Sequence, residues 1–288
     1  MKIAVVGANG VYGRHLVPRL VAAGHDVRAL VRRPKMALAA RACGVEVRQA
    51  DIYDASSLEA ALAGSDLCIN LATAVPGGAS GRGSPAANDR LRREGVPLLI
   101  EACRQAGVDR LLQQGICWVG AAGDTLAEES HRFEAVGDGP GMASIRAAHA
   151  MEEALRACDL DWTILRGALF YGPGTGAEDG WFAQAQAGEL LLPGDGSGFA
   201  TFVHIADMAA ATAAAVERWP SRQALIVADD APVRWRDLFG HVAALTGAET
   251  PAEGGPVRLP SFRMSNGLAK EKLDWRPRYP DYRAGLAR

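Results

Sequence analysis

The sequence lacks the features that mark several whole classes of protein. No apolar run approaches the 18 or so residues a membrane-crossing helix needs, and the opening MKIAVVGANG turns glycine-rich after Val6, too soon for a secretory signal. The five cysteines are scattered and odd in number, with no Cys-x-x-Cys pair. That argues against a zinc site or a disulfide framework and fits a reducing, cytoplasmic setting. A net charge of -2 gives no basic excess for non-specific nucleic-acid binding. No internal repeat is visible. The expectation is a monomer or homodimer with no nucleic-acid or membrane partner. At 288 residues, such a chain buries roughly 75% of the surface its unfolded form exposes and needs no covalent staples.

What is present is an alternation of short β-branched runs and longer helical patterns. Strands are expected at Lys2–Gly7, Val27–Val31, Val45–Gln49, Asp66–Leu71, Arg110–Gln114 and Trp162–Arg166. Helices are expected at Val11–Ala23, Pro34–Cys43, Ser56–Leu62, Ala86–Ala106 and Met142–Cys158. Strands separated by helices of this length imply crossovers and a parallel sheet. The fold class is therefore α/β, a Rossmann-type doubly wound parallel sheet with a smaller C-terminal lobe. The rhythm breaks after Arg166, into glycine-rich loops at Tyr171–Gly180 and Pro193–Gly198, a strand at Thr201–Ile205, an alanine-rich helix at Asp207–Glu217 and a strand at Leu225–Val227. Residues 1–166 are expected to form the Rossmann domain, with the chain returning to it around 199–217. Residues 167–198 and 218–288 would form a substrate-binding lobe. Gly77–Pro85 reads as a flexible loop at the carboxyl end of the fourth strand, where ligands bind in open α/β sheets, or else as a plain surface loop.

The segment Gly7-Ala8-Asn9-Gly10-Val11-Tyr12-Gly13 lies between the first strand and the first helix, the context a dinucleotide loop requires. Gly7 permits the tight turn, Gly10 lets backbone approach a pyrophosphate, and Gly13 lets the helix pack on the strand. The helix N-terminus offers free N–H groups to the phosphates. At the end of the second strand, where an NAD site would place an acid, the chain has Arg32 and Arg33. Their forked donors suit the 2′-phosphate of NADP, so the expected cofactor is NADPH/NADP, with NADH bound more weakly.

These motifs resemble the extended and atypical short-chain dehydrogenase/reductase superfamily. GANGVYG corresponds to its G-x-x-G-x-x-G, Asn70-Leu71-Ala72 to a segment beside the cofactor ribose, and Asn88 with Gly95, Leu98, Leu99 and Ala102 to its N…G…L-L-x-A pattern. Leu165-Arg166, Tyr171-Gly172-Pro173-Gly174, Val203-His204-Ile205-Ala206-Asp207 and Leu273-Asp274-Trp275-Arg276-Pro277 resemble its later motifs in order. The resemblance implies cofactor contacts from Gly7, Asn9, Gly10, Val11, Tyr12, Gly13, Arg32 and Arg33. It adds Asp51 and Ile52 near the adenine, and Leu71, Ala72, Thr73, Gly115 and Arg166 along the remainder.

The departures bear on the chemistry. The family's catalytic Ser or Thr position holds Gly115, and its Tyr-x-x-x-Lys positions hold Ser144 and Ala148, or Ile145 and His149 in the shifted frame. No Tyr-x-x-x-Lys occurs anywhere in the chain. A positioned acid or base contributes roughly 10²–10⁴ in rate, so the proton must come from elsewhere. Ser144, His149 and Tyr171 are the candidate replacements, none of them a good acid as it stands. His149 is expected on an exposed helix face, His204 as a satisfied semi-buried ring, Tyr171 as a turn anchor and Cys117 as core. Gly115 could make room for a flat substrate, with Trp118, Phe133, Trp181, Phe182 and Phe202 either lining that pocket or packing the core. The expected activity is an NADPH-dependent ketoreductase acting on the carbonyl of a bulky aromatic or polyketide-like substrate, with a hydroxyl of the substrate assisting protonation. The rivals are a nucleotide-sugar epimerase or dehydratase and a non-enzymatic NADPH-binding regulator.

Overall fold

The computed structural model describes residues 1–75 and 83–287. Seven strands, β1 (Lys2–Val6), β2 (Asp26–Val31), β3 (Glu46–Gln49), β4 (Leu67–Asn70), β5 (Arg110–Ile116), β6 (Asp161–Gly167) and β7 (Gln223–Val227), form one sheet. Its order is β7-β6-β5-β4-β1-β2-β3 and every pairing is parallel. The strand order reverses between β1 and β4, which places the ligand crevice at the carboxyl ends of those two strands.

Strand periodicity explains the layering. Ile3 and Val5 of β1 point to one face, where they join Leu16, Val17 and Leu20 of the Val11–Ala22 helix and Met208 of the Ile205–Arg218 helix. Ala4 and Val6 point to the other, with Leu58 and Leu62 of the Ala55–Leu62 helix, Leu99 and Cys103 of the Val96–Gln105 helix, and Leu155 of the Pro140–Ala157 helix. A parallel sheet covered by helices on both faces needs strands that are apolar on both sides, and all four residues of β4 are buried.

Several expectations are refined. Ala86–Ala106 is not one α-helix: Pro85–Arg90 leads into a π turn at Leu91–Gly95 and then into Val96–Gln105. Pro97 lacks an N–H, and just before it the Val96 N–H reaches back to Leu91 O. Pro34–Cys43 splits into a 3₁₀ turn (Pro34–Met36) and a short helix (Leu38–Ala42). Most of the expected loop Gly77–Pro85 lies outside the described residues; Ser84 Oγ accepts from Ala87 N, and Pro85 opens the next helix.

The second half carries more structure than its glycine content suggests. Ala177–Gln186 and Trp235–Thr246 are helices. Phe202–His204 pairs with Leu169–Tyr171 as a separate ribbon, and the Ile205–Arg218 helix packs on the Val11–Ala22 helix. Two further parallel ribbons join Gly123–Ala127 to Phe262–Met264 and Leu191–Pro193 to Ala252–Gly255. The expected placement of 218–288 wholly in a lobe is corrected at Gln223–Val227, the outer strand of the central sheet. Its Leu225, Ile226 and Val227 are fully buried because β6 and the flanking helices cover them. No described helix is long and apolar enough to cross a membrane.

Candidate functional site

The glycine loop has the geometry of a phosphate cradle. Gly7 sits at φ +79°, and a Cβ there would lie 2.8 Å from Ala72 N, so only glycine lets the β1 and β4 ends close together. A Cβ on Gly13 would lie 2.2 Å from Ala8 O, which fixes the helix against the loop. Gly10 differs. It is exposed, caps the helix in extended backbone and would bring a Cβ only to 3.2 Å of Gly7 O. The leading N–H groups of this helix have no intrahelical partners, and no acidic residue stands in its first turn. These residues fit a dinucleotide pyrophosphate.

Asn9 and Val11 are half-buried beside the loop. Tyr12 is a correction to the expected cofactor contacts. Its side chain is in the core, hydrogen-bonded to Thr212 Oγ1 and edge-on to Phe170, and burial raises its phenol pKa. Only its backbone can face a phosphate. At the carboxyl end of β2, Arg32 and Arg33 are exposed, and their side chains make no hydrogen bond or ion pair among the described residues. Across from them Asp51 is half-buried and ties down Tyr53 N, while Ile52 is buried against Gly95.

Beyond β4, a buried amide chain holds the crevice wall. Asn70 Nδ2 donates to Gln113 Oε1 at 2.8 Å, its Oδ1 accepts from Ala72 N, and Gln113 Nε2 donates to Gln114 O. Asn88 Oδ1 accepts from Ala74 N at 2.9 Å and anchors the following helix to the same edge. Leu71 is buried, Ala72 half-buried and Thr73 exposed there. Sequence reasoning gave Asn88 only a pattern position; an amide side chain within the first turn after Ser84-Pro85 was the available signal.

The positions where the family carries its catalytic groups hold none. Gly115 is buried, and a Cβ on it would lie 3.2 Å from Ile164 Cγ2 and 3.7 Å from Arg166 Cγ. The space beside it belongs to β6, so the expected room for a flat substrate is not at Gly115. Ser144 is half-buried, while Ile145 and Ala148 are fully buried against Ile116 and Val119. His149 is buried, not exposed as expected, with Nε2 3.1 Å from Phe133 O. Tyr171 is 1% exposed and donates to Asp281 O. Burial, reinforced by Asp229 and Asp207, pushes its phenol pKa far up. It is an anchor for the C-terminal segment and not an available acid.

Arg166 is also corrected. Its Nε and Nη2 donate to Glu152 Oε1 and Oε2 at 2.8 and 2.7 Å, and Nη1 donates to Glu129 O. Burial opposes ionisation of Glu152, but Arg166 and Arg156 outweigh it and hold the carboxyl below its usual range. With three of its five N–H donors committed inside the protein and the residue only 5% exposed, this guanidinium braces the wall and does not stand open to a cofactor. His204 accepts from Ala206 N as a helix cap and lies on the Tyr279 ring at 3.9 Å, with burial lowering its pKa. Cys117 is fully buried, which raises its thiol pKa.

The expected substrate aromatics divide. Phe182 and Phe202 are core residues at 5% and 2% exposure, with Phe202 edge-on to Trp181, Trp235 and Tyr171. Trp118, Phe133 and Trp181 remain partly exposed. Two buried acids escaped sequence reasoning. Asp229 follows β7, and burial pushes its carboxyl up to about 8. Asp89 lies beside Arg92 on the helix after β4. The signal for that pair was a charge inside the buried stripe Asn88, Arg92, Val96. A surface cleft of about 570 Å³ lined by Glu101, Arg104, Asp109 and Asp161 lies at the amino ends of β5 and β6, away from the glycine loop.

The NAD(P)H-binding family matches residues 7–218, and the chain belongs to that family. It is 34% identical to a 3-diazoavenalumate denitrifying reductase from a Streptomyces species, over 100% of both chains. It is 27% identical to a 4-hydroxy-2-methyl-3-oxo-4-farnesyl-3,4-dihydroquinoline-1-oxide ketoreductase from Stigmatella aurantiaca, over 100% of this chain and 85% of that one. In fold it is similar to a dTDP-glucose 4,6-dehydratase from Streptomyces venezuelae solved with NAD bound. The TM-score is 0.82 at 22% identity, covering 100% of this chain and 95% of that one. The protein is thus an NAD(P)H-binding oxidoreductase on a Rossmann-type fold.

Proposed function

We propose that this protein is an NADPH-dependent reductase whose substrate brings its own activation, because among the described residues none at the family's catalytic positions is a competent proton donor. The observation that carries this is the state of the catalytic positions. Gly115 and Ala148 have no chemistry to offer, His149 is held by Phe133 O, and Tyr171 is sealed under the C-terminal segment. Ser144 alone is accessible, and an unassisted hydroxyl is a weak acid.

The residues assigned to the cofactor are Gly7, Asn9, Gly10, Val11 and Gly13 with the Tyr12 backbone at the pyrophosphate, Arg32 and Arg33 at the 2′-phosphate, Asp51 and Ile52 near the adenine, and Leu71, Ala72 and Thr73 beyond it. NADPH, when bound, supplies a hydride. The chain binds and orients the reactants, and such positioning alone contributes several kcal/mol. Trp118, Phe133 and Trp181 are assigned to the substrate side, as the expected aromatics that keep an exposed face. Residues 167–198 and 228–288 are assigned to the substrate lobe.

Two electrophiles meet the condition. One is an aromatic or polyketide-like ketone with a hydroxyl beside the carbonyl, which polarises it internally; the ketoreductase relative favours it. The other is a diazo group, favoured by the full-length relative named for denitrifying a diazo compound. An arenediazonium ion that gains a hydride and loses dinitrogen becomes the arene, balanced in atoms and charge with no proton from the protein. An epimerase or dehydratase reaction fits poorly, since it needs the missing base.

Two tests address this assignment. Ser144→Ala and His149→Ala should each lower kcat by less than about tenfold, against the roughly 10²–10⁴ a general acid supplies. A folded, cofactor-bound alanine variant without activity would identify a protein proton donor and refute the proposal. Replacing Arg32 and Arg33 together by Ala should weaken NADPH about tenfold or more, since one charge-assisted hydrogen bond contributes about 1.5–3 kcal/mol. NADH affinity should stay nearly unchanged; equal losses in calorimetry would remove these arginines from the 2′-phosphate.

A further inference from the structure

We propose that Arg92 supplies the fixed cation of the nicotinamide half of the site, reaching across from the helix after β4 to the segment where the resembling family carries its lysine. This rests on the NADPH assignment above and adds a residue to it.

The position follows from topology. In a sheet that reverses order between β1 and β4, a dinucleotide lies across the carboxyl edge with its two halves on either side of that point. Arg32 and Arg33 mark the adenosine side at β2, so the nicotinamide half falls toward β4 and β5. The Pro85–Arg90 helix starts at this edge, held there by Asn88 Oδ1 on Ala74 N. Arg92 is four residues further, on the same face one turn along. Its Nη1 donates to Ser144 O at 3.2 Å. In an α-helix that carbonyl faces the N–H four residues on, which here belongs to Ala148. The guanidinium therefore stands beside the two positions that have lost their tyrosine and lysine.

Arg92 is poorly explained as a structural residue. It is 8% exposed, and its nearest carboxylate oxygen, Asp89 Oδ1, is 3.8 Å away. That oxygen is itself buried and without a hydrogen bond among the described residues. A guanidinium has five N–H donors, yet Ser144 O is its one hydrogen-bond acceptor among the described residues. A buried ion pair with such loose geometry does little for stability. Burial lowers the Arg92 pKa to about 10, with Asp89 opposing the shift, so the group stays charged at neutral pH. It also sits within the π turn Leu91–Gly95, a distortion frequent at functional sites. Its free donors match acceptors of the nicotinamide half, the ribose hydroxyls and the carboxamide oxygen.

The test compares two ligands by calorimetry: NADPH, and adenosine 2′,5′-bisphosphate, which has the adenosine and its 2′-phosphate but no nicotinamide half. Arg92→Met should weaken NADPH about tenfold or more, the loss of a charge-assisted hydrogen bond, and leave the bisphosphate within about twofold. Arg92→Lys should recover part of the NADPH affinity. The double variant Asp89→Asn/Arg92→Met, which leaves no unpaired buried charge, should repeat the Arg92→Met pattern in a protein of normal circular dichroism. Parallel losses for both ligands, or no loss for either, would overturn the proposal. Wild-type protein that binds neither ligand would instead overturn the NADPH assignment on which it rests.

Discussion

Gly10→Val is expected to eliminate measurable binding of NADPH and NADH alike while the protein stays folded. The two properties separate at this glycine and not at its neighbours. Gly13 has the Ala8 carbonyl 2.2 Å from where a Cβ would be, and Gly7 combines φ +79° with the Ala72 backbone at 2.8 Å. Substitution at either disrupts the β1–helix turn itself. At Gly10 the backbone is extended, the residue is exposed, and the one near contact is Gly7 O at 3.2 Å. The folded chain can absorb a few tenths of an ångström. What a valine would occupy is the surface over the helix N-terminus, where the pyrophosphate meets the backbone. Displacing two charge-assisted hydrogen bonds there removes about 3–6 kcal/mol, roughly a hundredfold or more in affinity. Calorimetry on a variant with a native melting transition decides it, and near-native affinity would mean that the loop does not hold the cofactor.

How much could be read in advance depended on how local each signal was. The first six strands were legible because βα alternation is written into short windows: Ile3 and Val5 against Ala4 and Val6 already separate the two faces. The glycine loop was legible because each glycine has its own steric reason. The second half was legible only in part: the elements expected at Thr201–Ile205, Asp207–Glu217 and Leu225–Val227 are present, but their placement and the remaining elements are defined by distant partners. Gly123–Ala127 becomes a strand only through Phe262–Met264, and Gln223–Val227 joins the sheet only because β6 offers an edge. Alanine-rich and glycine-flanked helices such as Ala177–Gln186 carry weak periodicity.

Within the site, the sequence showed what was missing more clearly than what replaced it. Absence of Tyr-x-x-x-Lys needs no structure to see. That Arg166 is closed by Glu152, that Tyr12 turns into the core and that His149 is buried against Phe133 O depend on side-chain directions across 14, 200 and 16 residues. Motif position alone cannot distinguish a residue that contacts a ligand from one that braces the wall behind it. Arg92 illustrates the converse: it occupies no catalytic motif position, yet the fold brings it to Ser144.

The central claim is that the substrate, and not the protein, meets the proton requirement of the reaction, and a matched set of substrates tests it most directly. The set is an aromatic ketone with a hydroxyl beside the carbonyl, the same ketone with that hydroxyl methylated, and an arenediazonium salt, each followed by oxidation of NADPH. The account predicts turnover of the hydroxy ketone or of the arenediazonium. It predicts that the methyl ether, which still binds, is reduced at least about a hundredfold more slowly, the lower range of what a positioned acid contributes. Equal turnover of the hydroxy ketone and its methyl ether would show that the protein provides the proton and would contradict the account.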